Sequence, residues 1–273
     1  MIIRKAVVRT NMRLGSILIL IVATLTGHAL ADISVTSSLS QFHDVVPGEG
    51  VENSISIRNS GSADAVIRLY QTDYLFFADG RYSYGEPGTV SRSNAAWITL
   101  STHGLTIPAG ETVAVPYEVR VPDDQNLFGS YWSAIMVEEV TSPTPQGEGP
   151  VTVRTVVRYA VQVATEFGET GDSLLNFTNP SLLDTEAGGQ LLQVDAENVG
   201  EQSIRASFYA ELYDDQGALV ARIDGRPRRT YPGTSIRQRF DLGPLVAGRY
   251  TALVVADGGG DELFGAQFTL NIE

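Results

Sequence analysis

The sequence contains no cysteine, a single lysine and only three histidines among its 273 residues. Without cysteine the chain has no disulfide, no thiolate metal ligand and no thiol nucleophile. It also lacks the His-x-His and His-Glu-x-x-His spacings typical of zinc sites, and it has no Gly-x-Ser-x-Gly nucleophile elbow. We therefore predict a protein that is not an enzyme, with no catalytic residues, no metal and no cofactor.

The first 31 residues have the features of a cleaved export signal. Four basic residues precede an apolar stretch at 14–27, and Ala29-Leu30-Ala31 fits a small-x-small cleavage site before Asp32. The apolar stretch is shorter than the ~20 residues that span a bilayer. We predict a signal peptide at 1–31, a mature chain without a membrane span and a periplasmic location, with an extracellular one as the alternative.

Basic residues are scarce in the predicted mature chain. Residues 32–273 contain fifteen arginines, no lysine and 32 acidic residues, a net charge of −17. An acidic chain repels phosphate backbones, so the sequence predicts no binding to nucleic acid. These 242 residues are enough for two domains of ordinary size.

From Asp32 onward, short segments with alternating apolar residues follow one another, separated by turn residues. Alternation predicts strands, since successive side chains leave opposite faces of a strand. No segment keeps a helical period over three turns, so the predicted fold is all-β. In the second half we predict strands at 174–178, 191–197, 204–213, 218–223, 236–242, 250–256 and 263–272.

The two halves share sequence features. Asn59-Ser60-Gly61 matches Asn198-Val199-Gly200, and Gly129-x-Tyr131 matches Gly248-x-Tyr250. A Gly-x-Tyr step before an apolar strand is typical of the tyrosine corner of immunoglobulin-like sandwiches, where the phenol bonds to nearby backbone. We predict two tandem immunoglobulin-like β-sandwich domains, at 32–167 and 168–273.

The longest alternating run is Val151 to Phe167, which we predict to be the last strand of the first domain. The Pro- and Gly-rich segment 141–150 before it is either a surface loop or an interdomain linker, and we interpret it as a loop. A long strand of this kind presents an edge to which another chain can add a strand. The predicted partner-binding residues are Val151, Val153, Arg154, Val157, Arg158, Tyr159, Val161 and Val163.

Aromatic residues cluster in a predicted hairpin between 70 and 84. Four of them are candidate ligand contacts: Tyr74, Phe76, Tyr82 and Tyr84. If the rings are exposed, they could stack on sugars or anchor a protein partner, and if they are buried, they fill the core. The sequence is compatible with both hypotheses. The acidic turns at 214–217 and 257–262 offer oxygen ligands for calcium, but Asp and Gly are also the usual residues of tight turns, which we favour.

Residues 33–166 resemble the periplasmic pilus chaperone family. In that family, two immunoglobulin-like domains lie in tandem, and the long last strand of the first domain follows a mobile loop and pairs with a pilus subunit. Here strand 129–139, loop 141–150 and strand 151–167 occur in the same order. The segments at 96–98, 107–112, 121–123 and 129–131 also look like the N-terminal domain of WxL-interacting proteins of Gram-positive surfaces.

The resemblance implies a non-enzymatic, chaperone-like protein that binds an exported, pilin-like subunit by β-strand addition. That family grips the client carboxylate with an Arg on the first strand and a Lys on the last, but here no cation occurs between 33 and 53. Arg154 and Arg158 lie on the predicted last strand and are candidate anchors. The alternative hypothesis is a module that binds cell-surface glycan or peptidoglycan through the aromatic hairpin.

Overall fold

The computed structural model describes residues 32–140 and 157–272. In these two ranges the chain forms eighteen β-strands and one 3-10 turn at Ala95–Trp97, with no α-helix. The strands form two consecutive β-sandwiches, so the predicted all-β fold with two tandem sandwiches is confirmed. The predicted signal peptide at 1–31 lies outside the described residues.

The first sandwich contains ten strands. They are β1 (Ile33–Val35), β2 (Ser40–Asp44), β3 (Gly50–Asn59), β4 (Ala65–Phe76), β5 (Tyr82–Gly85), β6 (Ile98–Leu100), β7 (Gly104–Ile107), β8 (Thr112–Arg120), β9 (Ser130–Glu139) and β10 (Arg158–Glu166). One sheet has the order β1-β3-β8-β6, and the other has the order β2-β10-β9-β4-β5 with β7 also paired to β4. The first segment of the chain therefore contributes a short strand to each sheet.

The core of the first sandwich follows the alternation in the sequence. Ile55 and Ile57 of β3, Ile67 and Leu69 of β4, and Val161 of β10 point inward and are fully buried or nearly so. Alternate residues of each strand share a face, so one face of each sheet is apolar and closes against the other.

Pro116 does not mark an edge strand. A proline lacks the N–H of a sheet ladder and is expected at edges or bulges. Here, however, β8 lies between β3 and β6, with Pro116 opposite Ser54 of β3. The pairing with β6 ends at Leu100 opposite Tyr117, so Pro116 lies just beyond the last ladder pair on that side.

The second sandwich contains eight strands. They are β11 (Leu175–Asp184), β12 (Gln190–Asn198), β13 (Ile204–Tyr213), β14 (Leu219–Asp224), β15 (Arg228–Thr230), β16 (Ser235–Gly243), β17 (Gly248–Gly259) and β18 (Glu262–Ile272). Seven correspond to the predicted strands, and the short β15 is additional. The sheets have the orders β11-β12-β16 and β14-β13-β17-β18, and β15 pairs with β13.

The predicted tyrosine corner is present in the second sandwich. The Tyr250 hydroxyl donates a hydrogen bond to the Val246 carbonyl oxygen over 3.0 Å. Tyr131, its counterpart in the first sandwich, has its ring 4.9 Å from Trp97 and 5.7 Å from Phe167 between centroids. The corner tyrosine therefore makes a hydrogen bond to the backbone in the second sandwich and packs in an aromatic cluster in the first.

Candidate partner-binding site

Strand β10 pairs with β9 along its whole length but with β2 along only part of it. Residues Arg158–Glu166 face β9 in antiparallel register, whereas β2 runs parallel to β10 only from Gln162 to Glu166. The Gln162 N–H donates to the Leu39 carbonyl, which fixes the side on which β2 lies. Within the described ranges, no strand pairs with the stretch from Arg158 to Val161 on that side.

One face of β10 belongs to the core of its own sandwich. Val161 and Val163 are fully buried there, and Tyr159 packs against the same core. Val157, which precedes β10 on the same face, is 54% exposed and does not belong to this core. Val161 and Val163 are therefore enclosed by their own domain in this structure, and Val157 is the accessible member of the predicted donor face.

Three predicted partner-binding residues, Val151, Val153 and Arg154, lie outside the described residues. So do the loop 141–150 and the remainder of 151–156. Of the predicted strand 151–167, the structure describes the part from Val157 onward, in which Arg158–Glu166 form β10.

Arg158 is engaged within its own domain. Its guanidinium lies 3.2 Å from Glu138 Oε1, and Arg68 contacts Glu138 Oε2 at 2.9 Å. The hydrogen bond from Arg68, followed by the charge of Arg158 and a bond from Tyr70, outweighs partial burial and lowers the pKa of Glu138. Arg158 thus takes part in a cross-strand network on the sheet surface and has a carboxylate partner without any client.

The opposite face of β10 looks toward the second sandwich. Gln162 Oε1 accepts hydrogen bonds from the Tyr231 hydroxyl and the Ser40 hydroxyl, each 3.3 Å away. Ala164 is buried in a small cluster with Trp132 of β9 and Tyr231. The Trp132 and Tyr231 rings stack across the two sandwiches, with centroids 5.0 Å apart and 14° between planes.

Polar contacts also tie the sandwiches together. Arg229 Nη1 donates to Glu166 Oε1 over 2.9 Å, and the Ser203 hydroxyl donates to the same carboxylate oxygen. The Ser130 N–H donates to the Glu201 carbonyl over 2.8 Å. A methyl group on Gly129 would lie 2.2 Å from that carbonyl oxygen, so only glycine fits at this close approach.

The aromatic hairpin lies on the outer face of the sheet that contains β10. Tyr74 of β4 stacks on Tyr84 and Tyr82 of β5, with centroid distances of 5.2 and 6.3 Å. Tyr74 is only 8% exposed, and burial, with the neighbouring Tyr84 and Tyr82, raises its pKa to about 12. Tyr82 is 63% exposed and Tyr84 also faces solvent. The hairpin therefore has one buried ring, Tyr74, and two exposed rings. Phe76 is half-buried, 6.2 Å from the Tyr231 ring.

A cleft of about 420 Å³ separates the hairpin from the second sandwich. Tyr74, Phe76 and Tyr82 line one wall, and Arg228, Arg229 and Tyr231 line the other. Gln162 of β10 reaches the same cleft, so β10 and the hairpin, which were separate predicted sites, meet at one surface. The arginines of β15 and β16 were not identified as site residues from the sequence. The concentration of arginine at 226–239 could have indicated them.

The two histidines of the described ranges are bound to their neighbours. His43 Nε2 is 3.0 Å from the Tyr117 hydroxyl, and His103 Nδ1 is 3.4 Å from the Leu69 carbonyl oxygen. In residues 32–140 and 157–272, no group of three or more His, Asp or Glu side chains is placed to hold a metal ion. The same ranges contain no helix with the length and apolarity needed to cross a membrane.

No protein-family model matches the chain. A xylanase/β-glucanase of Ruminococcus flavefaciens is 34% identical over 92 residues, which is 33% of this chain and 11% of that protein. The chain therefore spans about a tenth of the length of that curated relative, and the similarity is confined to one segment.

Solved structures similar to this chain include several chaperones. The Class 5 fimbriae chaperone CfaA has a TM-score of 0.46 at 10% identity, covering 87% of this chain and 98% of its own. The E. coli chaperone DraB has a TM-score of 0.42 at 12% identity, with 87% and 98% covered. The periplasmic chaperone SfaE has a TM-score of 0.38 at 9% identity, with 87% and 98% covered.

Proposed function

We propose that the protein is a non-enzymatic, chaperone-like binder of exported subunits, which it captures by β-strand addition to β10. The observation that carries the proposal is the one-sided pairing of Arg158–Val161, which have β9 on one side and no described strand on the other. Alternate residues of a strand direct their backbone groups to the same side. Because the Gln162 N–H points toward β2, the backbone groups of Ala160 and Arg158 point toward the open edge.

The exposed Val157 supplies the side chain that a client would cover. It lies on the same face as Tyr159 and Val161, and at this position the face has left the core of the first sandwich. A client strand added at this edge would gain main-chain hydrogen bonds and would extend the sheet beyond the end of β2. Val151 and Val153, on the same sequence face, would continue the contact, with a periplasmic, pilin-like subunit as client.

Site-specific crosslinking tests the proposal. A photoreactive phenylalanine analogue replaces Val157 in one variant and Val220 in another, since Val220 of β14 is an exposed strand valine in the other domain. The expected result is a crosslinked exported protein at position 157 and none at position 220, identified by mass spectrometry. Crosslinks of equal yield at both positions, or at neither, would contradict strand addition at β10.

The glycan-binding alternative rests on the exposed rings of Tyr82 and Tyr84, which stack with Tyr74. Sugar rings stack on exposed aromatic faces, and these two faces are accessible. Retention on peptidoglycan that is lost in a Tyr82→Ala, Tyr84→Ala variant supports this alternative, and unchanged retention in that variant removes it.

A further inference from the structure

Arginines are concentrated in a second cleft, next to the aromatic one. Arg226, Arg228, Arg237 and Arg239 of the second sandwich line a space of about 460 Å³, closed on the other side by residues 78–80 of the first sandwich. Four of the fourteen arginines in the described residues therefore line one cleft, although the net charge of the chain is −13. We call this space the arginine cleft.

Most of this positive charge is uncompensated. Arg237 forms a two-point ion pair with Asp195, with distances of 2.6 and 2.9 Å. Asp79 also lines the cleft, but its carboxylate pairs with Arg81 at 2.6 Å. The other three, Arg226, Arg228 and Arg239, form no ion pair with any residue of 32–140 or 157–272, and all three are exposed. Uncompensated cations gathered in a cleft raise the local concentration of anions.

The spacing of Arg239 from Arg237, which is already paired with Asp195, matches the repeat of an extended polypeptide. Arg237 and Arg239 are two residues apart on β16 and so share a face, about 7 Å apart along the strand. Acidic side chains at alternate positions of an extended peptide have the same repeat. The planar guanidinium binds carboxylate through two parallel hydrogen bonds, as Arg237 already does with Asp195.

The lining of the cleft distinguishes between acidic partners. None of the described residues that line it is aromatic, and the tyrosine stack lines the neighbouring cleft, which shares Arg228 and Arg237 with this one. Within the arginine cleft, the carboxylates of an acidic polysaccharide would meet guanidinium groups but no aromatic ring on which a sugar could stack. The lining favours a polypeptide.

We infer that the arginine cleft binds an acidic, extended segment of a partner polypeptide. This inference goes beyond strand addition, because Arg226, Arg228 and Arg239 belong to the second sandwich whereas the open edge of β10 belongs to the first. A partner held at both places would contact the two domains at once.

The test uses a fluorescent peptide of alternating glutamate and threonine, acetylated and amidated so that it carries no terminal charge. Its binding to the purified protein is measured by fluorescence polarisation and compared with that of the matching glutamine–threonine peptide. An oligogalacturonate serves as the competing acidic glycan. The triple variant Arg226→Gln, Arg228→Gln, Arg239→Gln removes the uncompensated charges, and Arg58→Gln, Arg205→Gln, Arg249→Gln is a control with the same change of charge at other exposed positions.

The glutamate peptide is expected to bind, and the glutamine peptide to bind at least tenfold more weakly. The triple variant of the cleft is expected to lose about tenfold in affinity, since each exposed ion pair contributes modestly and three are removed. The control triple variant and Val157→Asp should both retain binding, and raised salt should weaken it. Equal binding of the two peptides, an unaffected cleft variant, or tighter binding of the oligogalacturonate would each overturn the assignment.

Discussion

Asn59 and Asn198 occupy equivalent positions in the two sandwiches and make the same three side-chain hydrogen bonds. Asn59 Nδ2 donates to the carbonyls of Ala63 and Ile107, and its Oδ1 accepts from the Gly61 N–H. Asn198 Nδ2 donates to the carbonyls of Gln202 and Thr230, and its Oδ1 accepts from the Gly200 N–H. Each asparagine ends a strand, is fully buried and joins the turn that follows it to the end of another strand.

Replacing either asparagine by alanine should destabilise its own sandwich. Each change removes one buried and two partly buried hydrogen bonds to backbone groups, which costs about 2–4 kcal/mol in the free energy of unfolding. Urea unfolding followed by circular dichroism measures the loss. Asn126→Ala is the matched control, because Asn126 is exposed and, among the described residues, its side chain bonds only to Asp124. Equal stability of Asn59→Ala, Asn198→Ala and Asn126→Ala would contradict this role.

Aspartate at the two ends of the β10 face should have opposite consequences. Val161 is fully buried, so Val161→Asp places a charge in the core and should cost more than about 4 kcal/mol in the free energy of unfolding. Val157 is exposed, so Val157→Asp should leave the free energy of unfolding within about 0.5 kcal/mol of the parent value while it weakens client capture. Thermal unfolding separates the two, and a stable Val161→Asp protein would show that the face is not closed by its own domain.

Loss of the Tyr231 ring should loosen the contact between the two sandwiches. Tyr231 stacks on Trp132 and is 6.2 Å from Phe76 between centroids, with its ring almost completely buried. Tyr231→Ala should cost about 3 kcal/mol in stability. It should also admit water to Trp132, shifting tryptophan emission to longer wavelength. Tyr213→Ala, at the far end of β13, is the control, and an unshifted spectrum in Tyr231→Ala would argue against the stack.

Asp73 should make stability depend on acid pH. Burial by itself raises the pKa of this carboxyl, but hydrogen bonds from Ser93, Gly88, Val90 and Thr89 outweigh burial and hold the pKa below its ordinary value. A depressed pKa in the folded state stabilises the fold above the unfolded-state pKa of about 3.9, and this stabilisation is lost as pH falls through the folded-state value.

Asp73→Asn should therefore lower the urea midpoint at pH 7 and have a much smaller effect near pH 2.5. The comparison variant is Asp215→Asn, since Asp215 is exposed in a turn. If Asp73→Asn and the parent protein differed by the same amount at both pH values, the carboxylate charge would not be the stabilising element. The same bonds organise the segment 86–94, which the sequence presents only as a polar stretch.

The β class, seven of the eight strands in the second half and the repeated asparagine motif followed from local pattern. Alternation fixes which side chains share a face whatever the rest of the chain does, and an Asn-x-Gly step specifies a turn through its own hydrogen bonds. For that reason the predicted strands at 204–213 and 263–272 agree closely with β13 and β18. The sequence by itself also determined the absence of disulfides and the strongly acidic charge.

Only the tertiary structure decided how those strands are shared between core and surface. Whether Val161 faces a partner or its own core depends on the opposing sheet, and whether Pro116 lies at an edge depends on where β6 ends, and neither is encoded in strand alternation. The clustering of Arg226, Arg228, Arg237 and Arg239 likewise depends on bringing β15 and β16 beside a hairpin about 150 residues earlier. Contacts between residues distant in sequence depend on how whole sheets pack, and a local sequence pattern does not determine that packing.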